Sequence, residues 1–416
     1  MNFNNVITKR HHFQHSNRQK ILPLFVVFLC RAALAGALDF GVIVQEGFEA
    51  SGGNEPFVPL WTQNAGPWFS QVVNEELSFQ LSLDFSLAYA PANSNTAGKK
   101  WRPVFQVNRA QVLWRPLPLL AVEAGRVFFE DPMGRIASGL FDGVKVTLNW
   151  EQNTLNAALL YSGLQYKERA KIIMTEGDLG DYADNDSYFA PGRLILSAFW
   201  QSRYLSDKTL DLGALGQIDL RSQGEKLHSQ YLLGKFSFPV FSFIDVSTGA
   251  IIGVKEQDSG GALSFAANLS LAFALPGALA DQLSLSGYVS SGSVGPYLRP
   301  YFPVNALAEG EVFRPSLAGI YAVKLSYQLV PFKHTHLNAT GRYFWRSTRD
   351  IIPGVAGLNN STKDNLGAEL YASGIWTPLS DLSLSLGGGV FFPSGPVKEL
   401  GTEIMWKAAA AVILSL

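Results

Sequence analysis

From Glu76 to Ala90 the chain reads ELSFQLSLDFSLAYA, with Leu77, Phe79, Leu81, Leu83, Phe85, Leu87 and Tyr89 at every second position. Spaced at 100° these apolar groups would scatter round a helix, but at 180° they share one face of a strand. Strands of globular proteins commonly run to about 5–6 residues, and this alternation lasts for 13. Its length decides what can cover the apolar face. At about 3.3 Å per residue such a strand is about 43 Å long, and tilted near 45° it rises about 30 Å, enough to cross a hydrocarbon band roughly 25 Å tall. Lipid therefore fits the face.

The pattern recurs to the end of the chain. Ser259 to Ala280 has no charge over a length that could suggest a membrane helix, but Leu263, Phe265, Ala267, Leu269, Leu271, Phe273 and Leu275 alternate with small or polar residues. Pro276-Gly277 then interrupts it. Further alternating runs include Val144 to Trp150, Leu317 to Leu329, Leu337 to Arg346 and Ile404 to Leu416. The strands are joined by short connectors (RPLP, NWEQNT, YLSDKT, SFPVFS, PGALADQ, VPFKHT, TPLSDL) that take turns with longer ones, including 163–192, 293–315 and 348–364. Short turns at one end and long loops at the other describe an outer-membrane barrel, with the turns in the periplasm.

This parity corrects the strand count. About 17 strands are directly visible, yet a short turn must precede Leu77, so another strand has to lie within FVPLWTQNAGPWFSQVV, after a first strand from Leu38 to Glu49. The expectation is all-β: one transmembrane antiparallel barrel of 18 strands, an even number as bacterial single-chain barrels have. Sixteen strands, or a 61–73 region coiled into a plug, are the alternatives. Trp114, Trp150 and Trp376 stand beside short turns, where an aromatic girdle belongs. The chain ends on the strand AVILSL, whose final Leu416 replaces the aromatic residue common at that place.

Composition agrees with a barrel. Of 416 residues only 16% are charged while 47% are hydrophobic, against a charged fraction near 25% in soluble domains. Residues 1–35 read as a secretory signal: Lys9, Arg10, Arg18 and Lys20 without an acid, then ILPLFVVFL, then Ala33-Leu34-Ala35. Residues 36–416 would then be the barrel. The single cysteine, Cys30, lies within the signal, so the exported chain would hold no thiol site. Removal of the signal leaves 28 basic and 34 acidic residues, a balance unlike that of a nucleic-acid binder.

Few residues suggest catalysis. His228, His334 and His336 form no Ser/His/acid arrangement, and the pair in KHTH is an incomplete metal set. The loop TEGDLGDYADNDSYFAPGR gathers Glu176, Asp178, Asp181, Asp184 and Asp186 without EF-hand spacing. Nucleotide-binding fingerprints are missing as well. The expectation is a non-enzyme with no cofactor and no metal. Chemistry is left to the inner wall, where alternation sends Lys145, Lys324, Arg342, Arg346 and Lys407, with Glu369 and Asp84. Fixed charges there would tune which solutes pass, unless they are neutralised by one another in a plugged lumen.

The segment AVEAGRVFFEDPMGRIASGLFDGVKVTLNW, with Gly125-Arg126 and Phe141-Asp142-Gly143-Val144, resembles the alginate-export porin family. NLGAELYASGIWTPLSDLSLSLGGGVFFPSG resembles that family's closing hairpin. The resemblance implies 18 strands, passive export or uptake, and basic selectivity residues at Arg126 and the nearby Arg109 and Arg115. Alternation around VFQVNRAQVLW is imperfect, which suggests a bulge at Arg109. The resulting expectation is a channel in the bacterial outer membrane for small hydrophilic, anionic or saccharide-like solutes, narrowed by an extracellular loop. Its partners would be outer-membrane lipid, lipopolysaccharide and the barrel-assembly machinery, with no nucleic acid. A surface receptor or adhesin acting through the long loops is the competing reading.

Overall fold

The computed structural model describes residues 37–53, 58–89, 101–184, 186–203, 207–221, 226–257, 260–277, 279–293, 298–348 and 361–416. The expected signal segment lies outside them. The strands are β1 (Ala37–Gly52), β2 (Val58–Val72), β3 (Leu77–Tyr89), β4 (Trp101–Leu117), β5 (Leu120–Glu130) and β6 (Ser138–Trp150). Next come β7 (Asn153–Tyr161), β8 (Arg193–Ser202), β9 (Thr209–Asp219), β10 (Leu227–Phe241), β11 (Ile244–Gln257) and β12 (Gly260–Ala274). The last are β13 (Gln282–Ser290), β14 (Ile320–Leu329), β15 (Thr335–Arg346), β16 (Asn365–Leu379), β17 (Leu382–Pro393) and β18 (Met405–Ser415).

These 18 strands form one antiparallel sheet in which every strand pairs with its sequence neighbours, and β1 closes on β18. Closure runs from Ile43 opposite Ser415 to Gly52 opposite Trp406, extended by the reciprocal bonds of Val42 and Leu416, each 2.9 Å. Closure removes the open edge that hydrocarbon cannot satisfy. β2 is the strand that parity required, paired with β1 from Val58 to Val72.

The apolar rows face outward. Phe40, Phe85, Leu232, Ile252, Leu269, Leu370 and Leu386 are all exposed, as a lipid-covered wall demands. Trp114, Trp150 and Trp376 are exposed beside short turns, the place expected of a girdle. All the short-turn connectors span seven residues or fewer, whereas the other end carries the longer 162–192, 291–319, 347–364 and 394–404. The connectors 53–57, 131–137, 220–226 and 258–259, at seven residues or fewer, depart from that contrast.

The main buried apolar cluster lies inside the barrel, because three connectors of the long-loop end fold inward. Ile136 and Ala137 from 131–137, Ala170, Ile172 and Met174 from 162–192, and Tyr301, Val304, Phe313 and Leu317 from 291–319 pack against inward wall residues such as Val127, Phe141, Ile195, Ile251 and Phe344. Phe313 stacks on Phe391 with ring centres 4.2 Å apart. Side chains that would be stranded on an outer surface thus gain a core of their own.

Candidate functional site

The inner wall and the three inward connectors enclose the candidate path. Connector 162–192 carries α1 (Lys167–Ala170) and α2 (Glu176–Ala183). Thr175 caps α2 in a reciprocal capping box with Asp178, which satisfies two of the helix's orphan amides. The Asp178 carboxylate also meets Arg193 of β8 and Arg221 beyond β9, while Asp219 meets the same two arginines. The expected acidic loop is therefore pinned to the wall through Asp178.

Asn305 joins the connectors to one another. Its Nδ2 donates to Ala170 O at 2.7 Å, and its Oδ1 accepts from Ser138 N at 3.0 Å. On either side of it Val304 N donates to Ile136 O and Ala306 N to Lys171 O, both at 2.7 Å. Arg135 pairs with Glu309 at 2.5 Å. Asp131 accepts from the amides of Met133, Arg135, Ile136 and Ala137, closing the tight connector it begins.

The residues expected on the inner wall separate into two groups. Several are ion-paired. Lys145 meets Glu123 at 2.8 Å, and Lys407 meets Glu49 at 3.0 Å. Arg342 donates to Glu369 at 2.6 Å and lies 3.5 Å from Glu311. Glu369 has no exposed surface and also accepts from the amides of Glu311, Val312 and Phe313, so this pair moors connector 291–319. Arg346 is buried, pairing with Asp364 at 3.4 Å and donating to Ser361 O at 2.5 Å; it fastens 361–364. For Arg342 and Arg346 the structure thus differs from a free lumen charge, because their charges hold loops.

Others have no carboxylate at ion-pair distance among the described residues. The suspected bulge is present between Ser82 and Leu83 of β3 and leaves Asn108 as the extra residue. It returns Arg109 to the inner row opposite Ser82, where it donates to Gln80 at 3.3 Å. Lys324 stands directly across from Arg342. Arg126 is in neither group. Register puts it on the row of Ala124 and Phe128, and its guanidinium is bound within the wall to both oxygens of Asp142 at 2.8 Å, to Val107 O and to Leu164 O.

Lys171 and Arg314 were not anticipated. Both are exposed on inward connectors and, like Lys324, have no carboxylate at ion-pair distance among the described residues. Burial, with the charges of Arg314 and Lys407 and against that of Glu168, holds the Lys171 ammonium below its ordinary range. Loops have no period to reveal facing. The available signal was the apolar content of the connectors, Ile172 and Met174 beside Lys171 and Phe313 beside Arg314, which marks loops that fold inward.

Within the wall lies a cavity of 370 Å³ lined by Lys145, Asn156, Ser197, Gln201, Asp211 and Lys235, with Phe129 and Phe199. Gln201 donates to Asp211 at 2.8 Å and Lys235 to Pro132 O at 2.8 Å. Donors, acceptors and aromatic faces together suit a polyhydroxylated solute. The recess beside Ala339, Ala372, Gly374 and Leu386 is on the outer, apolar face of the wall.

No family model and no curated protein matches the sequence. Solved structures do. Pseudomonas aeruginosa OccK2 (OpdF), solved in complex with glucuronate, aligns at TM-score 0.62 and 13% identity over 91% of this chain and 98% of its own. Pseudomonas aeruginosa OprD aligns at 0.57 and 12% over 91% and 95%. Acinetobacter baumannii OccAB1 aligns at 0.58 and 12% over 91% and 97%. The shared feature is the fold, so the chain folds as a closed β-barrel of the kind those structures have.

Proposed function

We propose that this protein is an outer-membrane channel passing small hydrophilic solutes, anionic or saccharide-like, down their gradients. The observation that carries the reading is the set of unneutralised cations on the inward side, Lys171 and Arg314 on the connectors with Arg109 and Lys324 on the wall. An anion entering the barrel gives up hydration, and fixed cations offset part of that cost while repelling other cations. Lys145, Arg342 and Lys407 add charge partly cancelled by their partners; Arg126, Arg346 and Glu369 shape the path by holding wall and loops in place. No cofactor or chemical step is required.

The resemblance to alginate exporters adds that outward flow is as admissible as uptake, since a passive path has no direction of its own. Lipid and lipopolysaccharide are the surroundings this reading assigns to the apolar wall, and the assembly machinery its route there. A receptor reading would need the long loops displayed outward, and the burial of Ile172, Val304 and Leu317 within the barrel favours the channel. Planar-bilayer recording of refolded protein in a KCl gradient tests it. The expected result is a conductance with anion-selective reversal potential that glucuronate partly blocks; absence of conductance would overturn it.

A further inference from the structure

β4 and β5 are joined only over their short-turn halves. Their ladder ends at Ala110 opposite Arg126, yet β4 remains paired with β3 as far as Trp101 and β5 with β6 as far as Glu130. Above Ala110, among the described residues, no residue of β4 is registered opposite a residue of β5. The local cause is visible. The bulge at Asn108 bends β4 just where the ladder stops. Gly125, at φ 110°, lets the strands touch immediately below, where a Cβ would sit 2.0 Å from Ala110 O.

Bare strand edges are not tolerated in hydrocarbon, and here side chains reach the carbonyls of the β4 edge. Arg126 reaches Val107 O on the β4 edge at 2.6 Å, and Tyr188 donates to Phe105 O on the same edge at 2.6 Å. Arg126 also donates to Leu164 O at 3.0 Å. Tyr188 and Leu164 both belong to connector 162–192, whose Tyr188 ring packs against Tyr166 at 4.9 Å and Phe189 at 5.1 Å. The surroundings are apolar and exposed: Phe105, Phe128, Leu164 and Phe189. The same connector presents Lys171 to the lumen and is held at its far flank by Asp178 on Arg193 and Arg221.

We propose that the β4–β5 seam is a side gate, with the Leu164 and Tyr188 flank of connector 162–192 as its shutter. Withdrawal of that flank joins the lumen to the outer leaflet and gives passage to an amphipathic monoanion. Its carboxylate is handled by the cations of the connectors and its alkyl tail by Phe105, Phe128 and Phe189. Side-chain bonds from one loop are released far more readily than a strand ladder, which makes this a joint of the wall able to open. The proposal rests on the channel reading above.

The test locks the shutter. In a chain carrying Cys30→Ser, Phe105→Cys and Tyr188→Cys are joined by a reducible bifunctional thiol reagent, and folding is checked by heat-modifiable gel mobility. Octanoate entry into proteoliposomes is then measured beside KCl conductance. Cross-linking should bring octanoate entry down to that of protein-free vesicles, with recovery on reduction and KCl conductance unchanged throughout. Octanoate entry that ignores the cross-link, while KCl conductance persists, would overturn the side gate alone. Absence of KCl conductance before cross-linking would instead overturn the channel reading, and the gate with it.

Discussion

Glu369→Ala should release the segment that moors connector 291–319 while leaving the barrel closed. The carboxylate is fully buried and takes hydrogen bonds from Arg342 at 2.6 Å and from the amides of Glu311, Val312 and Phe313, the last two at 2.8 and 2.9 Å. Removing one member of such a buried pair costs about 3–5 kcal/mol, since the other charge is left uncompensated. The stacking of Phe313 on Phe391 and its edge-on contact with Phe344 remain, but contacts of that kind are worth only about 0.5–1.5 kcal/mol each beyond area. At 1.4 kcal/mol per factor of ten, the loop's docking equilibrium shifts towards release by roughly two to three and a half powers of ten. Glu369→Gln keeps an acceptor oxygen and loses the charge, so its effect should be intermediate. Single-channel recording should show larger or flickering conductance steps, and protease should cut near 309–315 in the variant before the parent. The ladders of β15 to β17 are untouched, so heat-modifiable mobility should persist. Unchanged conductance together with unchanged proteolysis would refute the mooring argument.

Lys171→Met with Arg314→Met should move the reversal potential in a KCl gradient towards the unselective value, by more than Arg346→Ala, whose charge is already spent on Ser361 and Asp364. Because the Lys171 ammonium is held below its ordinary range, it sheds its charge earlier as pH rises. Anion preference should therefore decline on the alkaline side, and Lys171→Arg should delay that decline in the same recordings. Gly125→Ala places a Cβ against Ala110 O at positive φ; the backbone conformation alone costs about 1–2 kcal/mol, so the midpoint of urea unfolding followed by gel mobility should fall. Asp178→Asn leaves Arg193 buried opposite a single carboxylate, Asp219, and should expose 176–184 to protease without changing barrel mobility.

The barrel was legible because its signal is local. A strand facing lipid on one side must repeat with period 2 whatever its partners are, and alternation of turn and loop then required β2 before any pairing was seen. The bulge near Arg109 was legible for the same reason, as a break in period. The state of the inner charges was not legible, because a strand shows which face a residue occupies and not what comes to meet it there. Arg342 and Glu369 share a row, but only the return of 311–313 makes them a mooring; Arg135 finds Glu309 across 174 residues, and Asn305 ties together connectors that share no pattern. Arg126 shows the limit most sharply. The family resemblance put it among basic residues of a channel, whereas the loss of the β4–β5 ladder beside it makes it part of the wall. Period and length, fixed by the bilayer, were determined by the sequence alone. Which charges remain free, and what covers the wall where a ladder stops, were decided by contacts between distant segments that form only once the barrel has closed around its own loops.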